Sequence, residues 1–543
     1  VIHSKIGINM KNPSFLIQFL CFCCFCPPLS ISSLLAQNPT FDILIRNGKV
    51  VDGSGNPWVR ADIGIQNGRI ARIGQLQDAT ATKTIDANGL IVAPGFIDVH
   101  THSEDGILRV PTADNFILDG VTTIVTGNCG NSADDLGKFF ESIKAQGTSI
   151  NLASLIGHNT VRRQIMQTAM RSPTADEQKQ MEALIEKGMR EGAVGLSSGL
   201  IYIPGTYAKT PEIVGLAKVA AQYDGIYASH IRDEGDSVKY AIEEAITIGR
   251  EANIPVEISH FKLSYKPFWG KSTETVAQVE AARRAGIDVT VDQYPYTASS
   301  TNLGILVPSW ALADGDSAIR KRFETPSVRQ QILDEMMAEL KKNNFKDYSY
   351  AVVARFRADS NYNGKSISAI NLLRGRKPKA REEAETVLDM LKQGGAQMIY
   401  HKMSEEDVAI ILRYPNTMIA SDAGVQTFGF AVTHPRAYGT NARVLGRYVR
   451  ERKVIPLEEA IRRMSSLPAQ RFKFTNRGLL RENMAADIVI FDEQAVSDKA
   501  TYEKPHAYSI GFQWVIVNGG IVIDNGKQTG LRSGQIVYGK GKL

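Results

Sequence analysis

Cysteine is scarce in this chain: of 543 residues only five are cysteine, and Cys21, Cys23, Cys24 and Cys26 crowd into one apolar run near the start. If that run is removed during maturation, Cys129 in "VTGNCGNS" is the only thiol left, in an oxidising compartment. Basic clusters are also missing. The net charge of +6 is scattered, and without Lys5 and Lys11 the remainder carries +4, which excludes nucleic acid as a partner. Long hydrophobic runs are confined to "FLIQFLCFCC", too short for a comfortable membrane span. Internal repeats and low-complexity segments are absent as well.

What is present points first to export. Lys11 precedes the apolar run, a Pro-Pro break follows, and the small-residue stretch "SISSLLAQ" is consistent with cleavage near Ala36 or Gln37. Residues 1–36 are therefore expected to be a signal peptide, with Met10 a candidate initiator and an uncleaved anchor the alternative. The expected location is periplasmic or secreted, with no membrane contact after cleavage. A composition of 43% hydrophobic and 22% charged residues is that of a soluble globular protein. At this length one large and one small domain are expected.

From Phe41 to about Val92 apolar and polar residues alternate between glycine turns, the texture of short antiparallel strands. The texture returns in "ADIVIFDE", "WVIVNGGIVIDNG" and "SGQIVYGKGK". One small β-sandwich built from both termini, residues 38–93 and 474–543, accounts for the pairing. Between them "GFIDVHTH", "TTIVTGNC", "INLASLIGH", "GAVGLSSG", "GIYASHI", "PVEISHF", "DVTVDQYPY" and "TMIASDAG" read as strands separated by helical stretches. Eight such strands are what a closed parallel (β/α)8 barrel of the TIM type needs, over residues 94–473. The segment "PTADEQKQMEALIEKGMREG" is expected to start at a Thr174 or Asp176 cap and end at Gly192. About 303–395, between strands seven and eight, is too long for a loop and reads as an insertion. It holds helices and the strand "YSYAVVARF", and could act as a lid.

In a parallel barrel the chemistry sits at the C-terminal strand ends. Strand one ends Asp98-Val99-His100-Thr101-His102, whose two imidazoles share a face because side chains alternate. Strand two ends at Cys129, strand five at His230, strand six at His260 and strand eight at Asp422. Singly, such residues are commonly hydrogen-bonded packing or turn caps. Together, at the ends of five strands, they form a set of imidazole, thiolate and carboxylate donors that suits zinc. His158, at the end of strand three, is expected to be structural.

With these residues placed, the chain resembles the N-acyl-D-amino-acid deacylase (D-aminoacylase) family of the amidohydrolase superfamily. The resemblance rests on "PGFIDVHTH", "TGNCG", "GAVGLSSGLIYIPGTYAKTPEI", "SHIRDEG", "ISHFK", "DQYPYTASST", "SDAG" and "THPRAYGT". It implies that Cys129, His230 and His260 hold a tightly bound zinc. His100 and His102, with Cys129 as bridge and Asp422 nearby, would form a second, weaker position. Related cyclic-amide hydrolases bridge two metals with a carboxylated lysine on strand four, and "GAVGLSSG" contains none. The resemblance also implies that Lys262, Tyr294, Ser300 and Arg436 hold the substrate carboxylate and orient the amide. Arg232 and Glu234 would support the site. The stretch Tyr400–Met403, with His401, has no assigned match.

The implied activity is zinc-dependent hydrolysis of N-acyl-D-amino acids by metal-activated water, with Asp422 as general base and then acid. A dipeptidase for dipeptides with a C-terminal D-residue is the alternative. A deaminase and a barrel without catalysis are remoter rivals.

Overall fold

The computed structural model describes residues 40–542. The expected signal peptide and the cysteines at 21–26 lie outside the described residues. No helix of the described residues is long and apolar enough to cross a membrane.

The first strands are β1 (Thr40–Val50), β2 (Val59–Gln66), β3 (Arg69–Gly74), β4 (Thr80–Asp86) and β5 (Ile91–Pro94). A parallel set follows: β6 (Phe96–Asp98), β7 (Val121–Thr126), β8 (Asn151–Ser154), β9 (Ile156–Gly157), β10 (Gly195–Gly199), β11 (Ile226–His230), β12 (Val256–Ile258) and β13 (Val289–Gln293). Next come β14 (Ser299–Asn302), β15 (Ala351–Phe356), β16 (Ala396–Tyr400) and β17 (Thr417–Ile419). The last are β18 (Ile488–Phe491), β19 (Phe512–Val517), β20 (Gly520–Asp524) and β21 (Lys527–Gln528).

Parallel pairings run from β6 through β7 to β8, and from β9 through β10, β11, β12 and β13 to β17. Only Leu155 separates β8 from β9. An isolated parallel bridge, Thr101 to Ala423, joins the chain beyond β6 to the chain beyond β17, so the pairings return to their start. Strands β10, β11, β12 and β13 are buried at every residue, as parallel strands covered on both faces must be. Helices supply the cover. Val238–Ala252, for example, buries Ile242, Ala245, Ile246 and Gly249 on one face. Helix Ala175–Glu191 starts at Thr174, whose hydroxyl and the Glu177 carboxylate form a capping box, and stops at left-handed Gly192.

The strands at the two ends do come together, but in one hydrogen-bonded path rather than two separately paired sheets. The order is β21-β20-β19-β18-β5-β1-β2-β3, with β4 alongside the first half of β1. The eleven residues of β1 are long enough to take β4 over Thr40–Arg46 and β5 at Lys49 and Val50. The stretch "SGQIVYGKGK", expected as a strand of a sandwich, leaves the sheet and runs along the parallel set instead. Val537 donates to the Leu152 carbonyl, Leu152 to Gln535, and Gly539 to Gly192. Alternating polarity is satisfied equally well by a segment lying along another element.

Between β13 and β17, β14, β16 and β15 form an antiparallel sheet with its own core, including Phe323, Met336, Val387 and Met398. This sheet reaches beyond the expected 303–395, because β14 and β16 supply two of its three strands from outside those bounds.

The mixed sheet is tied to the parallel set through Asp487. Its carboxylate pairs with buried Arg477, accepts from Asn151 Nδ2 at 3.0 Å on β8 and accepts from Asn518 N at 2.7 Å. Asp487→Ala would leave the guanidinium buried without its partner, a cost of about 3–5 kcal/mol. The expected outcome is a lowered midpoint of urea unfolding; an unchanged midpoint would remove this contact from the account.

Candidate metal centre

The bridge that closes the parallel pairings also builds half of the centre. His102 N donates to the Ala423 carbonyl and Asp422 N to the His100 carbonyl, each at 2.9 Å, so the two chain ends lie in register. His102 Nε2 then stands 3.2 Å from Asp422 Oδ1, and His100 Nε2 stands 3.7 Å from it. Beneath them Asp98 accepts from the backbone of His100 and Ser421. Burial pushes the Asp98 carboxyl up to about 6, against these hydrogen bonds.

Cys129 supplies the middle. Its backbone is left-handed, with φ of 52°, and His260 and Asp422 share that region at 36° and 50°. Non-glycine residues adopt it at a cost, and such strain gathers at functional sites. The next residue is glycine for a reason: at φ of 75° a Cβ on Gly130 would meet Asn159 Oδ1 at 2.4 Å. Cys129 Sγ lies 3.3 Å from His100 Nε2, 3.4 Å from His230 Nδ1 and 3.5 Å from His260 Nε2. Burial raises the thiol, yet the three imidazoles outweigh it and hold Cys129 well below the ordinary thiol range.

These separations allow a test of fit. Sulfur at 2.3 Å and nitrogen at 2.0–2.1 Å from a tetrahedral ion stand about 3.5 Å from one another. The thiolate and its imidazoles already stand at that spacing. Two of the three far nitrogens face carboxylates, as metal-bound imidazoles commonly do: His100 Nδ1 lies 3.3 Å from Asp292 Oδ2 and His260 Nδ1 lies 3.1 Å from Glu234 Oε1, whereas His230 Nε2 stands 3.6 Å from Glu234 Oε1 without a hydrogen bond among the described residues. Asp292 Oδ1 also accepts from His260 N at 2.9 Å. The donor set fits a divalent metal.

A cavity of about 1020 Å³ opens over this cluster, lined by His102, Cys129, Asp422, Arg436, Ser300 and Tyr202 among others. Buried Arg436 places Nη1 2.9 Å from Asp422 Oδ2, but this nitrogen has no aligned hydrogen-bond acceptor among the described residues. Its guanidinium lies over the Tyr294 ring at 4.5 Å. The Lys262 ammonium stands 5.7 Å from the same ring. Burial lowers Asp422's readiness to ionise, yet Arg436 and the imidazoles prevail and hold it well below the ordinary carboxylate range.

All six expected donors therefore converge, and Arg436 and Ser300 line the same cavity. Lys262 is more occupied than a free carboxylate anchor would be. It pairs with Glu234 and donates to the His260 carbonyl at 2.9 Å, so its first partners are the groups behind the imidazoles. Tyr294 donates to Met403 Sδ at 3.6 Å. His158 stands apart, 2.9 Å from Glu212, which also binds Arg162. Arg232 holds Glu244 and the Thr206 and Ala208 carbonyls. His401 is exposed against the ring of Tyr502.

Sequence reasoning missed Asp292 and Tyr202. Asp292 stands near the C-terminal end of β13, where the strand-end rule could have found it. Tyr202, three residues past β10, packs its ring 4.6 Å from that of His230 and accepts from Thr301 Oγ1 at 3.0 Å.

Parallel strands whose ends gather nitrogen, sulfur and oxygen donors beneath a cavity define a metal-dependent hydrolase. The amidohydrolase family pattern matches residues 83–523. The chain belongs to the amidohydrolase family, in its N-acyl-D-amino-acid deacylase (D-aminoacylase) branch. D-aminoacylase of Alcaligenes xylosoxydans xylosoxydans is 36% identical over 525 residues, covering 92% of this chain and 98% of that protein. A crystal structure of N-acyl-D-glutamate deacylase from Bordetella bronchiseptica is 34% identical, with a TM-score of 0.78, and covers 92% of this chain and 100% of that one. It is complexed with zinc and a phosphonate inhibitor that mimics the tetrahedral intermediate of the reaction. A crystal structure of D-aminoacylase is 33% identical, with a TM-score of 0.79 and the same coverage.

Asp292→Asn removes the carboxylate behind His100 and His260. It should weaken metal affinity by about 10–100-fold, measured by competition with a chromophoric chelator. Wild-type affinity in this variant would detach Asp292 from the centre.

Proposed function

We propose that the chain hydrolyses the amide bond of N-acyl-D-amino acids, releasing a D-amino acid and a carboxylate. The observation that carries this reading is the Asp422–Arg436 pair. A proton acceptor and a buried cation stand 2.9 Å apart at the edge of the metal donors, the pair held without an aligned hydrogen bond. An N-acyl amino acid carries its carboxylate one carbon from the amide nitrogen. A carboxylate on Arg436 therefore brings the amide beside Asp422.

The residues that would hold the ion are His100, His102, Cys129, His230, His260 and Asp422, and their mixed N, S and O character favours zinc. When bound, the ion supplies Lewis acidity, polarising an amide carbonyl and acidifying water. Asp422, ionised at neutral pH, takes the proton of the attacking water at its carboxylate and passes it to the leaving nitrogen. Departure then occurs as an amine. Arg436, stacked on Tyr294, orients the substrate carboxylate, and burial of this pair keeps water from competing for it. Ser300 lines the same cavity, its Oγ donating to the Met398 carbonyl at 2.8 Å and accepting from Gln397 Nε2 at 3.1 Å.

We read the circuit of parallel strands as a closed (β/α)8 barrel, with the sheet from both chain ends as its companion domain and the β14–β16 segment as an insertion above the site. We also propose export of the chain.

Asp422→Ala should lower kcat for N-acetyl-D-leucine by about 10²–10⁴-fold while metal content, measured by atomic emission, stays near one tight ion per chain. Cys129→Ala should lose both metal and turnover. Near-normal turnover in Asp422→Ala would overturn the assignment. For export, N-terminal sequencing of the mature protein should begin near residue 37, and retention of Cys21 would sink that proposal.

A further inference from the structure

The insertion carries eight arginines, and they divide into two groups. Five pair with acids: Arg322 with Asp314, Arg329 with Glu385, Arg374 and Arg376 with Asp389, and Arg381 with Asp334. Arg320, Arg355 and Arg357 have neither a carboxylate partner nor a side-chain hydrogen bond among the described residues. These three share a place. Arg355 and Arg357 line the cavity over the metal donors and also a neighbouring cavity of about 740 Å³, which Arg320 and Lys392 line as well. The two cavities meet at Arg355 of β15 and Arg357 just beyond it.

The local backbone turns these side chains toward the site. The pairing of β15 with β16 shifts register between Val353 and Arg355, a bulge of the kind that re-aims a strand. The bulged residue, Ala354, accepts from Val432 N at 3.1 Å, which stitches β15 to the loop after β17. Arg355 rests on Phe430 of that loop, 4.6 Å from its ring. Across the ladder Arg355 faces Gln397, whose amide donates to Ser300 Oγ at 3.1 Å. Arg355 is thus one residue removed from Ser300, and it shares the lining of the cavity with Arg357 and Arg436.

We propose that this basic annex binds an anionic group on the acyl portion of the substrate, so that the preferred substrates are N-acyl-D-amino acids whose acyl chain ends in a carboxylate. This rests on the deacylase reading. Arg436 takes the carboxylate of the amino acid at one end of the amide. The acyl chain leaves the other end toward Ser300 and Gln397, where two planar guanidiniums can each offer a paired set of donors to a terminal carboxylate.

The test compares N-succinyl- and N-glutaryl-D-leucine with neutral analogues of the same shape, N-(4-methylpentanoyl)- and N-(5-methylhexanoyl)-D-leucine. The neutral leucine side chain confines the added charge to the acyl group. At least one anionic substrate should exceed its analogue in kcat/KM by about tenfold, the scale of charge-assisted hydrogen bonds. The double variant Arg355→Gln/Arg357→Gln should lose that preference while hydrolysing N-acetyl-D-leucine at the wild-type rate. Equal kcat/KM within both pairs, or a preference that the double variant retains, overturns the annex. If none of the compounds is hydrolysed, the deacylase reading fails by itself. The intact compounds then report binding by calorimetry, and equal Kd values or absence of binding overturn the annex too.

Discussion

Charge withdrawn from water has to be balanced on the spot, and the centre of this molecule is organised around that requirement. A thiolate, Asp422, Asp292 and Glu234 lie within one buried cluster, facing four imidazoles, Arg436 and Lys262. Each anion has a cation or polarised ring against it. Removing one member leaves another buried without compensation. The surrounding strands serve to keep these charges at spacings of 3–4 Å.

Lys262 illustrates what this balance does to individual roles. In isolation it suggests an anchor for a substrate anion, but Glu234 already neutralises it and both stand behind His260. Arg436 differs because its partner Asp422 leaves one N–H without an aligned acceptor. The contrast between a cation tied behind the imidazoles and one that lines the cavity separates support from recognition. It extends outward to the insertion, where most arginines are consumed by acids and those at the meeting of two cavities are not.

Much of this was legible in the sequence because local pattern and chemistry coincide at strand ends. His100, His102, Cys129, His230, His260 and Asp422 each close an apolar strand, so a period-two reading with a strand-end rule places them. Asp292 escaped because its partners, His100 and His260, belong to other strands, and nothing in the run "DVTVDQYPY" reports a contact across the ring. The tail Ser533–Lys542 was misread for a related reason: alternation specifies two faces but not the neighbour that covers them. The outer bounds of the insertion were missed because β14 continues the chain of β13 without a break in polarity. Only its pairing with β16 reveals that it belongs to the added sheet.

The joining of β5 to β18 carries a consequence for how the chain is made. Ile91–Pro94 finds its second partner only at Ile488–Phe491, after the whole parallel set has been synthesised between them. The edge of β5 that receives β18 stays open through that interval, and loop closure on this scale is slow. Chain order thus leaves the mixed sheet incomplete until after the parallel set has been made, with only the tail Ser533–Lys542 still to dock. An incomplete chain, cut short between Asp422 and β18, would carry its metal donors alongside an unfilled strand edge suited to pairing with another copy of itself.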